Sequence, residues 1–150
     1  MRSYLPAPLL LSAILLFSLG IQGASAVPLT ATADTPHQHR VVFQVSDSDE
    51  GKWALTLNNV DNMQADLGKK NIQIEVVVYG PGIGMLKMDS KFGSRIREAI
   101  EKGVRFAACQ NTMRSQHLTR EDMLADINYV PSGVIEVMKK QEEGYTYIRP

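Results

Sequence analysis

The side chain with the clearest chemical potential in this sequence is its single cysteine, Cys109. It ends the apolar run VRFAAC, which begins at Val104, and Gln110 and Asn111 follow it directly. A thiol between the end of a strand and the start of a helix faces backbone N–H groups that lack a helical partner, and these groups favour the nucleophilic thiolate. The position therefore predicts a reactive cysteine with a lowered pKa.

Cationic side chains lie close to Cys109 along the chain: Arg105 precedes it, and Arg114 and His117 follow. A cation near the sulfur would lower the pKa of the thiol further. A second interpretation stays open, because free cysteines are among the most buried residue types and often behave as small hydrophobes. One cysteine excludes an intramolecular disulfide and a cysteine-based zinc cluster.

Glycines follow Tyr79 in the segment Gly80-Pro81-Gly82-Ile83-Gly84. The segment matches neither phosphate-loop pattern, so we predict a tight turn beside the site rather than a nucleotide loop. The acidic segment 46–50 lacks the spacing of a calcium loop and is typical of a helix cap. We therefore expect no metal and no cofactor. A hydrolase built on Cys109 and His117 is a further, weaker reading that the sequence leaves open.

The elements that must position these residues alternate along the chain. Apolar and β-branched runs predict strands at 41–45, 72–79, 104–109, 127–130 and 145–148. Segments whose apolar residues recur at helical spacing lie between most of these strands. Gly68, Gly103 and Gly144 stand where helices would end. This alternation predicts a three-layer α/β/α domain with one open, mostly parallel sheet. Sites in such sheets form at the carboxyl ends of the strands, which brings Tyr79 and Cys109 to the same edge.

The N-terminus has the pattern of a secretory signal peptide. Arg2 precedes an uncharged apolar run from Leu9 to Ile21, and Ala24-Ser25-Ala26 offers a small-residue cleavage site. We predict a signal peptide at 1–26, a flexible leader at 27–39 and a domain at 40–150, with a periplasmic or secreted location. The apolar run is short for a membrane span, so we expect none after processing, although an uncleaved anchor is the alternative.

The charge composition of the chain limits the kinds of molecule that it is expected to bind. The 150 residues carry 16 basic and 16 acidic side chains, and cleavage after Ala26 would leave 124 residues with 15 against 16. A balanced charge leaves no excess of cations for phosphates, which argues against binding nucleic acid by bulk electrostatics. The length suits one domain.

Three segments resemble the DsrE/DsrF-like family of sulfur-relay proteins: VVVYGPGIGML at 76–86, VRFAACQNTM at 104–113 and YVPSGVIEVMKKQEEGYTYIRP at 129–150. The resemblance covers 40–150. It implies a domain that assembles into trimers or hexamers, and a cysteine after the third strand that accepts sulfur as a persulfide. Cys109 matches that position. The best-known members are cytoplasmic, whereas this chain has the sequence pattern of an export signal, so its partners are expected to differ.

Two hypotheses follow for the function. In the first, the protein is a sulfur carrier or sulfurtransferase that exchanges sulfur with a small sulfur compound or a donor or acceptor protein through Cys109. The residues expected to line the pocket or to hold the anion are Tyr79, Gly80, Gly82, Gln110, Asn111, Arg114 and His117. In the second, the protein is a non-catalytic oligomeric binding module, and Cys109 only packs or lines a pocket.

Overall fold

The structure is a computed structural model that describes residues 38–150. The predicted signal peptide at 1–26, and the leader up to residue 37, lie outside the described residues. The first strand begins at His39, one residue ahead of the predicted start of the domain.

One parallel sheet organises the described chain. Its strands are β1 (His39–Val45), β2 (Ile72–Val78), β3 (Arg105–Cys109), β4 (Asn128–Val130) and β5 (Thr146–Ile148). They lie in the order β4-β3-β2-β1-β5, and every neighbouring pair is parallel. The predicted α/β class and the mostly parallel sheet are confirmed.

Four helices connect the strands: α1 (Glu50–Leu67), α2 (Gly93–Glu101), α3 (Gln110–Ser115) and α4 (Gly133–Glu142). Single 3₁₀ segments cover Gly80–Leu86, where we predicted a turn, and Arg120–Asp122. The second segment stops after one turn because Met123 leaves helical geometry and bridges to Lys87. Among these helices, none combines the length and the apolar character that a bilayer crossing requires.

The helix ends follow the local chemistry of the sequence. The carboxylate of Asp49 accepts hydrogen bonds from the N–H groups of Gly51 at 2.8 Å and Lys52 at 3.4 Å, which caps α1 as predicted for segment 46–50. Gly68, Gly103 and Gly144 follow α1, α2 and α4 with positive φ values of 81°, 92° and 85°. Left-handed backbone of this kind ends a helix most easily at glycine.

The two faces of the sheet are covered unequally. Alternate strand residues such as Val41, Phe43 and Val45 join Trp53 and Leu57 of α1 in the larger core, which α2 also enters. The other face carries a small cluster with one residue of α4 at its centre: Val42, Val77, Ala107, Val137 and Tyr145. Helix α4 therefore rests on few apolar contacts.

A buried ion cluster also fastens α4 to the sheet. The carboxylate of Glu75 on β2 lies 2.6 Å from Nη2 of Arg105 on β3 and 3.9 Å from Nζ of Lys140 on α4. Only 6% of the Glu75 side chain is exposed. Burial raises the pKa of Glu75 by more than Arg105 and Lys140 lower it, so the net pKa is raised.

Candidate functional site

Cys109 occupies a junction between two elements at the carboxyl edge of the sheet. It is the last residue of β3 and the N-cap of α3, and its sulfur accepts a hydrogen bond from the N–H of Thr112 at 3.5 Å. Only 4% of the residue is exposed. Because Ala107 belongs to the cluster under α4, strand alternation turns Cys109 toward that same face.

Two opposing effects act on the thiol. Burial raises the pKa of Cys109, but hydrogen bonds from the Thr112 side chain and from the N–H groups of Thr112, Gly133 and Asn111 lower it by more. The net pKa lies below the ordinary value of a cysteine. The Asn111 N–H also donates to the carbonyl of Pro131 at 3.2 Å, which holds the start of α4 against the start of α3. Backbone donors from two helices therefore stabilise the thiolate.

Thr112 links the thiol to the glycine-rich segment. Its Oγ1 accepts a hydrogen bond from the N–H of Gly80 at 2.9 Å, so its own hydroxyl proton is free for the sulfur. The Gln116 side chain donates to the Gly80 carbonyl at 3.4 Å and adds a second tie between the two segments. Gly80 is in this way attached to the helix that Cys109 caps.

Two glycines permit close contacts around the site. A Cβ at Gly133 would lie 2.6 Å from Cδ1 of the Tyr79 ring, so only glycine lets α4 begin against that ring. A Cβ at Gly82 would lie 2.6 Å from the carbonyl oxygen of Val45, which brings the glycine-rich segment onto the end of β1. Both positions are structural supports of the site.

Charged and polar groups from β3 and from the C-terminal segment 146–150 act on the Tyr79 hydroxyl. Burial raises the pKa of Tyr79, Tyr147 and Cys109 raise it further through repulsion, and Arg149 lowers it. Tyr147 in turn donates from its hydroxyl to Oε1 of Gln44 at 2.7 Å, and Arg149 pairs with Asp47 at 3.3 Å. Tyr79 is therefore electrostatically coupled to both the thiol and the C-terminal strand.

The structure brings some of the predicted site residues together and leaves others apart. The carboxyl edge of the sheet brings together Cys109, Asn111, Tyr79 and Gly80. Gly82 lets the glycine-rich segment pack against the end of β1. Gln110 opens α3 and is half-buried, but the donors to the sulfur come from other residues.

The two predicted cations that follow Cys109, Arg114 and His117, are exposed. The Arg114 guanidinium donates to the side-chain oxygen of Asn111. His117 follows the end of α3, where it is exposed and has a positive φ of 56°. Their proposed assistance to the thiol stays a prediction, since the hydrogen bonds to the sulfur come from Thr112, Gly133 and Asn111.

Sequence reasoning missed Thr112, Gly133, Tyr147 and Arg149 as members of the site. Thr112 had a readable signal, because the third residue after an N-cap is the usual donor to the capping side chain. Gly133 had no such signal in the sequence. It lies far from Cys109 along the chain, and only the packing of α4 brings the two residues together. Among the described residues, no group of three His, Cys, Asp or Glu side chains could hold a metal ion.

Comparisons with known proteins agree with the segments quoted above. The sequence model of the DsrE/DsrF-like family matches residues 39–150. A solved structure of a protein of unknown function from Methanobacterium thermoautotrophicum is 40% identical, with a TM-score of 0.71, and the match covers 75% of this chain and 99% of that chain.

A second similar structure is a conserved protein of unknown function from Bacteroides thetaiotaomicron. It is 13% identical, with a TM-score of 0.61, and the match covers 77% of this chain and 98% of that chain. At that identity the likeness concerns the fold alone. No curated protein matches the chain.

Proposed function

The chain belongs to the DsrE/DsrF-like family, and on that premise we propose that it carries sulfane sulfur as a persulfide on Cys109. The family is associated with sulfur relay. The observation that carries the proposal is the lowered pKa of Cys109, which is maintained by hydrogen bonds although the thiol is buried. A thiolate is the form that attacks sulfur, so these donors favour the reactive state.

The transfer needs no external oxidant. With thiosulfate as donor, the Cys109 thiolate attacks the outer sulfur, a new S–S bond forms, and sulfite leaves with the electron pair of the bond that breaks. The enzyme then holds a Cys109 persulfide anion. An acceptor thiolate attacks the terminal sulfur of that persulfide, takes it as a new persulfide, and returns the Cys109 thiolate.

The bound persulfide extends the anion beyond the original sulfur. The N–H groups of Thr112, Gly133 and Asn111 surround the thiol and are the donors available to hold that charge. Tyr79 adds a hydroxyl at the same edge, and Arg149 places a cation near that hydroxyl. We propose that these residues, rather than a cofactor, supply the environment of the transferred sulfur.

Mass spectrometry of the intact protein tests the proposal. After incubation with thiosulfate or polysulfide and removal of the excess, the wild type should gain the mass of one sulfur atom, and Cys109→Ser should not. Dithiothreitol should reverse the gain. A wild type that stays unmodified, while its thiol reacts slowly with iodoacetamide, would contradict the carrier function.

A non-catalytic binding module is the second candidate, and one observation favours it. Cys109 is 4% exposed and caps α3, so packing and capping alone could explain a cysteine at this position. On that account Cys109→Ser, which keeps a capping oxygen, should fold and assemble like the wild type, and neither protein should take up sulfur. The same mass measurement thus separates the two candidates.

We also propose that the protein is exported and acts as a trimer or hexamer. Both proposals rest on the signal pattern of 1–26 and on the family resemblance. Light scattering coupled to size-exclusion chromatography measures the assembly directly. A monomer across the accessible concentration range would contradict the oligomer.

A further inference from the structure

A cavity of about 410 Å³ opens at the amino edge of the sheet, at the opposite ends of the strands from Cys109. The start of β2 forms its floor with Ile72, Gln73 and Ile74. Lys69, Lys70 and Arg105 contribute its charged groups. Among residues 38–150, no carboxylate side chain lines it. The cavity is therefore positively charged and lies apart from the thiol.

Arg105 is held in place by buried groups rather than left free on the surface. Its Nη2 donates to the Glu75 carboxylate at 2.6 Å and lies 3.5 Å from the Tyr145 hydroxyl. Glu75 is 6% exposed, whereas 51% of the Arg105 side chain is exposed. One part of the guanidinium is thus fixed by a buried carboxylate, and the remaining donors are available at the cavity.

The floor of the cavity is ordered by the same network. The Tyr145 hydroxyl donates to Oε1 of Gln73 at 3.0 Å, and Nε2 of Gln73 donates to the side-chain oxygen of Gln38 at 2.9 Å. Lys69 and Lys70 form no ion pair within the described part of the chain. The cavity is therefore lined by two ammonium groups that have no ion-pair partner among the described residues and by an oriented guanidinium.

We propose that this cavity binds a small molecule with a tetrahedral dianionic oxyanion group. The Nε and Nη1 donors of Arg105, which Glu75 and Tyr145 leave free, can hydrogen-bond such a group, and the two ammonium groups neutralise its charge. The volume leaves room for a small organic moiety beside the anion. Phosphate-based and sulfur-based oxyanions share this chemistry, so the test must include both.

Isothermal titration calorimetry on the purified full chain tests the site. Pyrophosphate, inorganic phosphate and thiosulfate are titrated separately at constant ionic strength, with acetate as a monoanionic control. At least one dianionic probe should bind saturably, and acetate should not. Comparison of the phosphate and thiosulfate titrations shows which kind of oxyanion the cavity prefers.

The matched variants locate the binding. Lys69→Gln combined with Lys70→Gln should lower the affinity by about tenfold or more, because two charge-assisted contacts are lost. Lys91→Gln combined with Lys139→Gln removes the same charge from surfaces away from the cavity and should change the affinity less than about twofold. If both double variants lose the same affinity, the effect comes from the net charge of the protein and not from the cavity, and the proposal is overturned.

Arg105 needs a paired variant, since Arg105→Gln alone would leave Glu75 buried without its guanidinium. Glu75→Gln combined with Arg105→Gln avoids that charge, and circular dichroism checks the fold. A folded double variant should lose the binding, and full retention would overturn the role of Arg105. Thiosulfate is titrated into Cys109→Ser, which cannot take up its sulfur, and Cys109→Ser should bind phosphate and pyrophosphate like the wild type, so the outcome is independent of sulfur transfer. If none of the three probes binds saturably, the proposed site is overturned.

Discussion

At Cys109 the burial of the sulfur and the hydrogen bonds around it act in opposite directions on the same pKa. A buried thiol without donors would have a raised pKa and would be inert at neutral pH. Here the Thr112, Gly133 and Asn111 groups outweigh that effect, and the net pKa is lowered. The direction in which the pKa of this residue shifts therefore depends on neighbouring backbone N–H groups and on one hydroxyl.

Thr112→Val should raise the pKa of Cys109. The change keeps the shape of the side chain but removes the hydroxyl that lowers the pKa of the thiol and accepts from Gly80. The pH midpoint of the iodoacetamide alkylation rate reports that pKa, and it should shift to higher pH. Thr112→Ser keeps a hydroxyl and should stay close to the wild type. An unchanged midpoint in Thr112→Val would exclude the hydroxyl as a cause.

Helix α4 contacts the rest of the protein near both of its ends, at the Cys109 thiol and at the buried Glu75 carboxylate. Its first residue, Gly133, contacts Tyr79 and donates to the thiol, while Lys140 near its other end reaches the buried Glu75 carboxylate. Between them, Val137 is the buried apolar anchor. The helix therefore connects the charge cluster beneath the sheet to the environment of Cys109.

Gly133→Ala should loosen this connection at the thiol. The new Cβ would meet the Tyr79 ring at 2.6 Å, so the helix start or the ring must move. We expect a loss of about 1–3 kcal/mol in the free energy of unfolding, measured by urea denaturation, together with a raised alkylation midpoint at Cys109. Val134→Ala, at the neighbouring exposed position, should change both quantities little. A Gly133→Ala protein with wild-type stability and midpoint would contradict the contact.

Glu75 should make stability depend on pH with a definite sign. Because burial raises its pKa in the folded state, the folded protein binds this proton more tightly than the unfolded chain. The resulting stability is present below the ordinary value of 4.5 and is lost as the pH rises through the raised pKa. The free-energy difference between the wild type and Glu75→Gln should therefore move against the wild type as the pH rises above about 4.5.

Urea unfolding across that pH range measures the difference. Glu142→Gln removes an exposed carboxylate from the end of α4 and serves as the matched control. Its difference from the wild type should stay nearly flat with pH. A Glu75→Gln difference that grows in favour of the wild type as the pH rises would mean that Arg105 and Lys140 outweigh burial.

The elements could be predicted because their signals are local. Gly68, Gly103 and Gly144 end helices through backbone conformation alone, and the apolar runs identify the strands. The loop after Tyr79 was harder, since a 3₁₀ segment and a turn share the same glycines and prolines. These differences change local geometry without changing the sheet.

The candidate site was predictable only in part. Cys109 and Tyr79 followed from the rule that sites form at the carboxyl ends of parallel strands. The contact of Gly133 with the thiol follows from how α4 packs across the sheet, and no spacing in the sequence encodes that distance. The orientation of Arg114 toward Asn111 is likewise a matter of rotamer choice.

For the whole molecule, removal of the first 26 residues is the most direct prediction. The pattern at 1–26 predicts that the exported protein begins at Val27, because signal peptidase cleaves after small residues such as Ala26. Intact-mass measurement on protein recovered from the exporting host should give the mass of 27–150. Replacement of Ala24 and Ala26 by larger residues should block the cleavage. A full-length chain held at the membrane would identify the segment as an anchor instead.

The two proposed sites lie at opposite ends of β3, with Arg105 at its start and Cys109 at its end. They share one face of the sheet because they are separated by four residues, an even number, and they are about 13 Å apart along the strand. Insertion or deletion of one residue within β3 would turn one of the two side chains to the α1 side. Natural length variants of this strand that retain both sites should therefore differ from it by even numbers of residues.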